Sequence, residues 1–141
     1  MIEKIMLPLI LMFGALLYFT RDAGMDFTKA SSEHRAAFAD RQTRAWVSKA
    51  GLTPVFRSEL VRLESRDNSN IVIVHIRLGN DTTLVQKRQE TYARACTAYM
   101  NSRLSEFAIT QTVRFESDTG ALKANFTFKP SRCAKYAPEP V

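Results

Sequence analysis

The chain opens on an unbroken apolar run, IMLPLILMFGALLYFT over residues 5–20, bounded by Lys4 and Arg21. Nothing later is uniformly apolar. Over residues 29–49, Ala30, Ala37, Phe38, Ala45 and Trp46 recur at helical spacing, and Gly51 and Pro54 stop the pattern. Residues 55–65 then carry Phe56 and Leu60 in one phase and Val61 and Leu63 in another, which a β-bulge would reconcile. A helix capped by Thr53 with Pro54 in its first turn is the competing reading. A strand is preferred, because the turn cluster of residues 66–70 leads into Ile71, Val72, Ile73, Val74, His75 and Ile76, β-branched enough for a buried partner strand.

A second helix is expected from Asp81 or Thr82 to about Leu104, with Val85, Tyr92, Ala95, Cys96, Tyr99 and Leu104 on its apolar face. Alternation returns over 108–117, with Val113 and Phe115 on one face and Thr112, Arg114 and Glu116 on the other. Asp118-Thr119-Gly120 turns the chain. Leu122, Ala124, Phe126 and Phe128 carry the alternation back. Pro130, Pro138 and Pro140 make the tail from about residue 130 irregular.

The element order is α-β-β-α-β-β. It predicts an α+β domain, a permuted ferredoxin-like antiparallel sheet with two helices on one face. Thr112, Arg114, Lys123, Asn125 and Thr127 would look out from the uncovered face.

The opening run decides the compartment. As a helix it spans roughly 24 Å against a hydrocarbon core of about 30 Å. Lys4 and Arg21 can snorkel, and Tyr18 suits the interface. A cleaved leader would show small residues at a cleavage site. Ala15 has Phe13 two positions before it and Ala23 has Arg21, so an uncleaved signal anchor is the stronger reading, with a cleaved signal still open. The division follows: residues 1–4 a short cytoplasmic start, 5–20 a transmembrane signal anchor, 21–28 a linker, 29–141 an extracytoplasmic domain. About 120 residues beyond the anchor suffice for one core.

Two cysteines, Cys96 and Cys133, lack a Cys or His at metal spacing. Behind an export signal they read as one disulfide, with two separate buried thiols as the alternative. The net charge of +6 belongs to the domain, since Lys4 and Glu3 cancel. Its cations are spread along the chain without a run. Arg35, Arg41, Arg44, Lys87, Arg88, Arg114 and Lys123 form the candidate interaction surface. Arg132 and Lys135 add charge in the tail. Spread charge without a stacking platform argues against nucleic acid.

No G-x-S-x-G, H-E-x-x-H, P-loop or Gly-rich fingerprint occurs. No catalytic residue, cofactor or metal is therefore expected. An enzyme would need His34 or His75 to meet a carboxylate or hydroxyl in a cleft.

One short cytoplasmic start, one span and one small outer α+β domain are similar in layout to the bitopic assembly-platform subunits of bacterial type II secretion and type IV pilus systems. The long coiled coil usual in those subunits is missing here. The layout implies a single-pass protein of the bacterial inner membrane with its C-terminal domain in the periplasm. Its role would be that of an accessory or assembly subunit binding other membrane-complex subunits. The alternative is a module for an anionic lipid, glycan or peptide.

Overall fold

The computed structural model describes residues 26–53, 59–79 and 83–136. The expected anchor at 5–20 and the start of the first strand at 55–58 lie outside the described residues. Among those described, no helix is long and apolar enough to cross a membrane.

Residues 26–30, part of a separate small unit, form a turn in which the Asp26 carboxylate accepts from the Thr28 hydroxyl at 2.6 Å. That bond holds the Asp26 carboxyl below its ordinary value.

The main unit begins with α1, Ser32–Lys49. Ser31 caps it, its hydroxyl accepting from the His34 N–H at 3.3 Å. At the other end Gly51 takes φ +67°. The Gly51 N–H bonds Ser48 O and the Leu52 N–H bonds Val47 O, both at 3.1 Å. This is the paired bonding of a Schellman stop, which wants glycine at the left-handed position. Its apolar companion is the fully buried Leu52. Phe38, Ala39, Thr43, Trp46 and Val47 are the buried face of α1. Ala45, assigned to that face by the sequence, is exposed. The inner stripe follows the side opposite to it, where Thr43 donates to the Gln111 Oε1 at 3.1 Å.

The sheet has the order β1-β2-β3-β4, with β1 Glu59–Arg66, β2 Ile71–Arg77, β3 Thr110–Glu116 and β4 Leu122–Phe128. The expected bulge is present, as a register shift between Leu60 and Arg62. β1 and β2 pair antiparallel, as do β3 and β4. The middle pair, β2 with β3, is parallel, so the expected all-antiparallel, permuted ferredoxin-like sheet is corrected to a mixed one. The reason is the helical connection between them. It carries the chain back across one sheet face, and the next strand then starts from the same end as the last.

That connection is not one continuous helix. It comprises α2 (Thr83–Gln86), α3 (Arg88–Met100) and α4 (Arg103–Glu106). Asn101 closes α3, and α4 starts after Ser102, whose hydroxyl donates to Tyr99 O at 2.6 Å. Residues 80–82, where the cap of the second helix was expected, lie outside the described residues.

Both long helices cover the same face. Val72, Val74, Ile76, Val113, Phe115, Phe126 and Phe128 point inward and are buried. Trp46 of α1 links the layers. Its indole N–H donates to Ala95 O of α3 at 3.0 Å, and its ring meets Phe128 edge-on at 5.0 Å and Tyr99 at 6.3 Å. Arg94 of α3 returns the link, donating to Ala50 O at 2.8 Å. The Tyr99 hydroxyl donates to Ile109 O at 2.9 Å.

After β4, α5 (Pro130–Cys133) and a 3₁₀ turn (Ala134–Tyr136) fold onto α3. Pro130 suits the first turn of α5, where no N–H is needed. The disulfide Cys96–Cys133 joins the two, with Cα atoms 5.0 Å apart.

Two measurements check this packing. Replacing both cysteines with Ser should lower unfolding free energy by about 3–4 kcal/mol in urea, since the link closes a loop of 37 residues. Burial raises the Tyr99 phenol above its ordinary 10.0. Its contribution to stability is therefore complete below pH 10, where the unfolded phenol is still neutral. It is lost as pH rises further, at up to about 1.4 kcal/mol per pH unit. Tyr99→Phe should cost about 1 kcal/mol at neutral pH and flatten that alkaline slope.

Candidate functional site

The disulfide brings together side chains that are far apart in sequence. Tyr92 lies one helical turn before Cys96 and so shares its face of α3. Arg132 immediately precedes Cys133. Pinning the sulfurs sets the C-terminal turn beside Tyr92. The Tyr92 ring stacks on Phe128 at 5.0 Å and meets Tyr136 edge-on at 6.1 Å. Its hydroxyl donates to Thr127 O of β4 at 2.9 Å. Burial raises the Tyr92 phenol, and the nearby Arg132 and Lys135 charges oppose the rise.

Around this stack lies an open groove of about 830 Å³ between α3, the outer edge of β4 and the C-terminal turn. Its size falls in the range of ligand sites. Arg88 stands at one end. Its guanidinium covers the Phe126 ring at 4.4 Å and donates to Asn125 O at 3.3 Å. Arg132 and Lys135 line the opposite wall and are exposed. The Lys135 ammonium lies 5.1 Å from the Tyr136 ring. Glu90 is the single carboxylate in the lining. Among the described residues no carboxylate pairs with Arg88, Arg132 or Lys135.

The candidate interaction residues do not form one surface. Arg35 reaches from α1 to the β1–β2 turn, donating to Asn68 O and the Asn70 Oδ1, each at 3.0 Å. That turn holds Asp67, Asn68 and Ser69 all at positive φ, a conformation non-glycine residues adopt at a cost. Arg44 pairs with Asp40 at 3.0 Å along α1. Arg41 is half-buried on the same helix. Lys87 is exposed at the α2–α3 junction. Arg114 and Lys123 belong to the sheet face away from the helices. Only Arg88 lines the groove. Tyr92, Arg132, Lys135 and Tyr136 were missed as a group. The signal was the cysteine pairing itself, which aligns one turn of helix with the tail.

A second cluster lies on the sheet face opposite the helices. The parallel β2–β3 register sets His75 opposite Arg114, and the His75 Nδ1 lies 2.8 Å from the Glu116 Oε1. The Arg114 Nε approaches the same oxygen at 3.7 Å. A histidine beside a carboxylate is the partnership an acid–base catalyst would need. The ring is only 5% exposed, however, and its Nε2 is buried without a hydrogen-bond partner. The pair bridges β2 and β3 across the parallel seam. His34 is exposed in the first turn of α1. Among the described residues, no three His, Cys, Asp or Glu side chains converge as a metal site.

The roles of Arg35 and Arg44 can be separated by stability. Arg35→Ala should destabilise the fold by about 1–2 kcal/mol in denaturant titration, since it strips two bonds from a strained turn. Arg44→Ala, removing an exposed pair, should stay within about 0.5 kcal/mol.

No protein-family model matches the chain, and no curated protein matches it. Among solved structures the chain is similar to "Pilotin from Vibrio vulnificus type 2 secretion system, EpsS", with 20% identity, 65% of this chain and 86% of that chain covered, and a TM-score of 0.41. Overlap of that degree assigns neither a family nor an activity.

Proposed function

We propose that this protein is a membrane-anchored periplasmic accessory subunit of a bacterial envelope complex, working by holding another protein. The observation that carries the reading is the groove fixed by the disulfide: an aromatic floor with cations that no carboxylate of the described fold neutralises. A disulfide of two fully buried cysteines suits an oxidising compartment, which is where the apolar leader would deliver the domain. The leader in turn would keep the groove close to the membrane. Such a role needs binding chemistry alone and no catalytic group.

A second reading, a receptor for a small anionic ligand, is favoured by the same Arg132–Lys135 wall. It predicts a rise in thermal midpoint when anionic glycans or lipid headgroups are added, following ligand concentration over Kd. The subunit reading predicts instead that the full chain, extracted in mild detergent, keeps its leader and co-purifies with stable membrane proteins. Mass spectrometry after alkylation should find both cysteines oxidised. A chain that runs alone and monomeric, or that carries free thiols, rules the subunit reading out.

A further inference from the structure

The groove's cations differ from the ion-paired arginines of the domain. Arg44, Arg66, Arg77 and Arg103 each lie within ion-pair distance of a carboxylate, Asp40, Glu64, Glu59 and Glu106 respectively. The three groove cations have no such partner among the described residues, and one acid, Glu90, stands near them. A groove that gathers three cations around one carboxylate is complementary to an acidic occupant.

The edge of β4 narrows the choice further. An outermost strand can accept an added strand through its free backbone groups. Here the outward carbonyls of Asn125 and Thr127 are already engaged by Arg88 and Tyr92. An added strand would have to displace those two bonds, which favours an occupant recognised through side chains. The floor also disfavours an acyl chain. Apart from Phe126 and Ala93 the lining is the Tyr92 and Tyr136 phenols and polar or charged side chains, and Arg88 covers the Phe126 ring.

We infer that the groove takes an acidic peptide segment of the partner protein, its carboxylates against Arg132 and Lys135 and its apolar side chains on Tyr92 and Tyr136. This assignment rests on the subunit reading above and names what that subunit holds. A stretch with acidic and aromatic or aliphatic residues in alternation fits the layout, because Arg88 lies against Phe126 and Lys135 against Tyr136. Glu90 sets a limit on how many acids the occupant can place near α3.

The test uses the full chain in detergent and a short fluorescein-labelled peptide of alternating Glu and Phe, read by fluorescence anisotropy. The peptide should bind, and its affinity should fall as salt screens the charges. A peptide with Lys in place of Glu should not bind. The double reversal Arg132→Glu with Lys135→Glu should weaken binding about tenfold or more, and Glu90→Gln should tighten it about twofold. Unchanged thermal midpoints show that the variants fold. Equal binding of the Lys peptide, or indifference to the reversal, overturns the assignment. So does binding that appears only after residues 137–141 are removed, which makes the chain's own tail the occupant. Reversal-sensitive binding to anionic vesicles without peptide binding makes it a lipid surface. Where the peptide fails but detergent extracts still yield a membrane partner, only the groove assignment falls. Where the peptide binds and no partner co-purifies, the subunit reading falls instead.

Discussion

The covalent link between Cys96 and Cys133 is the constraint on which the candidate site depends. A tail carrying Pro130 and few apolar residues would gain little from docking on its own. Tied to a buried position of α3, it becomes one wall of a groove. The tie also fixes which residues face each other, since Tyr92 and Cys96 share a helix face. Trp46 does the equivalent work on the inner side. Its ring and its N–H hold α1, α3 and β4 in one packing arrangement. The groove floor is thus the outer surface of the same aromatic stack that closes the core.

The basic residues sort by task once their partners are known. Arg35 and Arg94 spend their guanidiniums within the fold, Arg35 on Asn68 O and the Asn70 side chain at a strained turn and Arg94 on Ala50 O at a helix stop. Arg44, Arg66, Arg77 and Arg103 sit in exposed or half-exposed ion pairs, each of small energetic value. Arg88, Arg132 and Lys135 at the groove are a minority of the charge. A net positive sequence therefore says little about where binding occurs, because structural and spare cations have the same composition.

Much of the fold was legible in local patterns. The bulge after Leu60, the turn at Asp118-Thr119-Gly120, the alternation of β3 and β4 and the helix stop at Gly51 all follow from short-range chemistry that the sequence shows directly. The inner stripe of α1 was harder to read. Alanine stands on both sides of that helix, and hydrophobicity does not distinguish Ala39, which is buried, from Ala45, which is not. The parallel β2–β3 pairing was missed because each hairpin is locally complete and nothing within either specifies how the two halves join. The His75–Glu116 contact was hidden for the same reason, since it exists only across that join. The groove was half visible. Its cysteines and cations were singled out separately, and their convergence needed the cross-link to be followed through one turn of helix.

The parallel seam also bears on how the chain reaches this shape. Each hairpin closes between sequence neighbours and forms quickly. The seam requires Ile71 to find Thr110 across the whole intervening helical segment, so it carries most of the entropic cost of closure. Substitutions along β2 and β3 that weaken the seam would then slow assembly more than they loosen the finished domain. Until the seam forms, the inner edges of β2 and β3 have no strand against them.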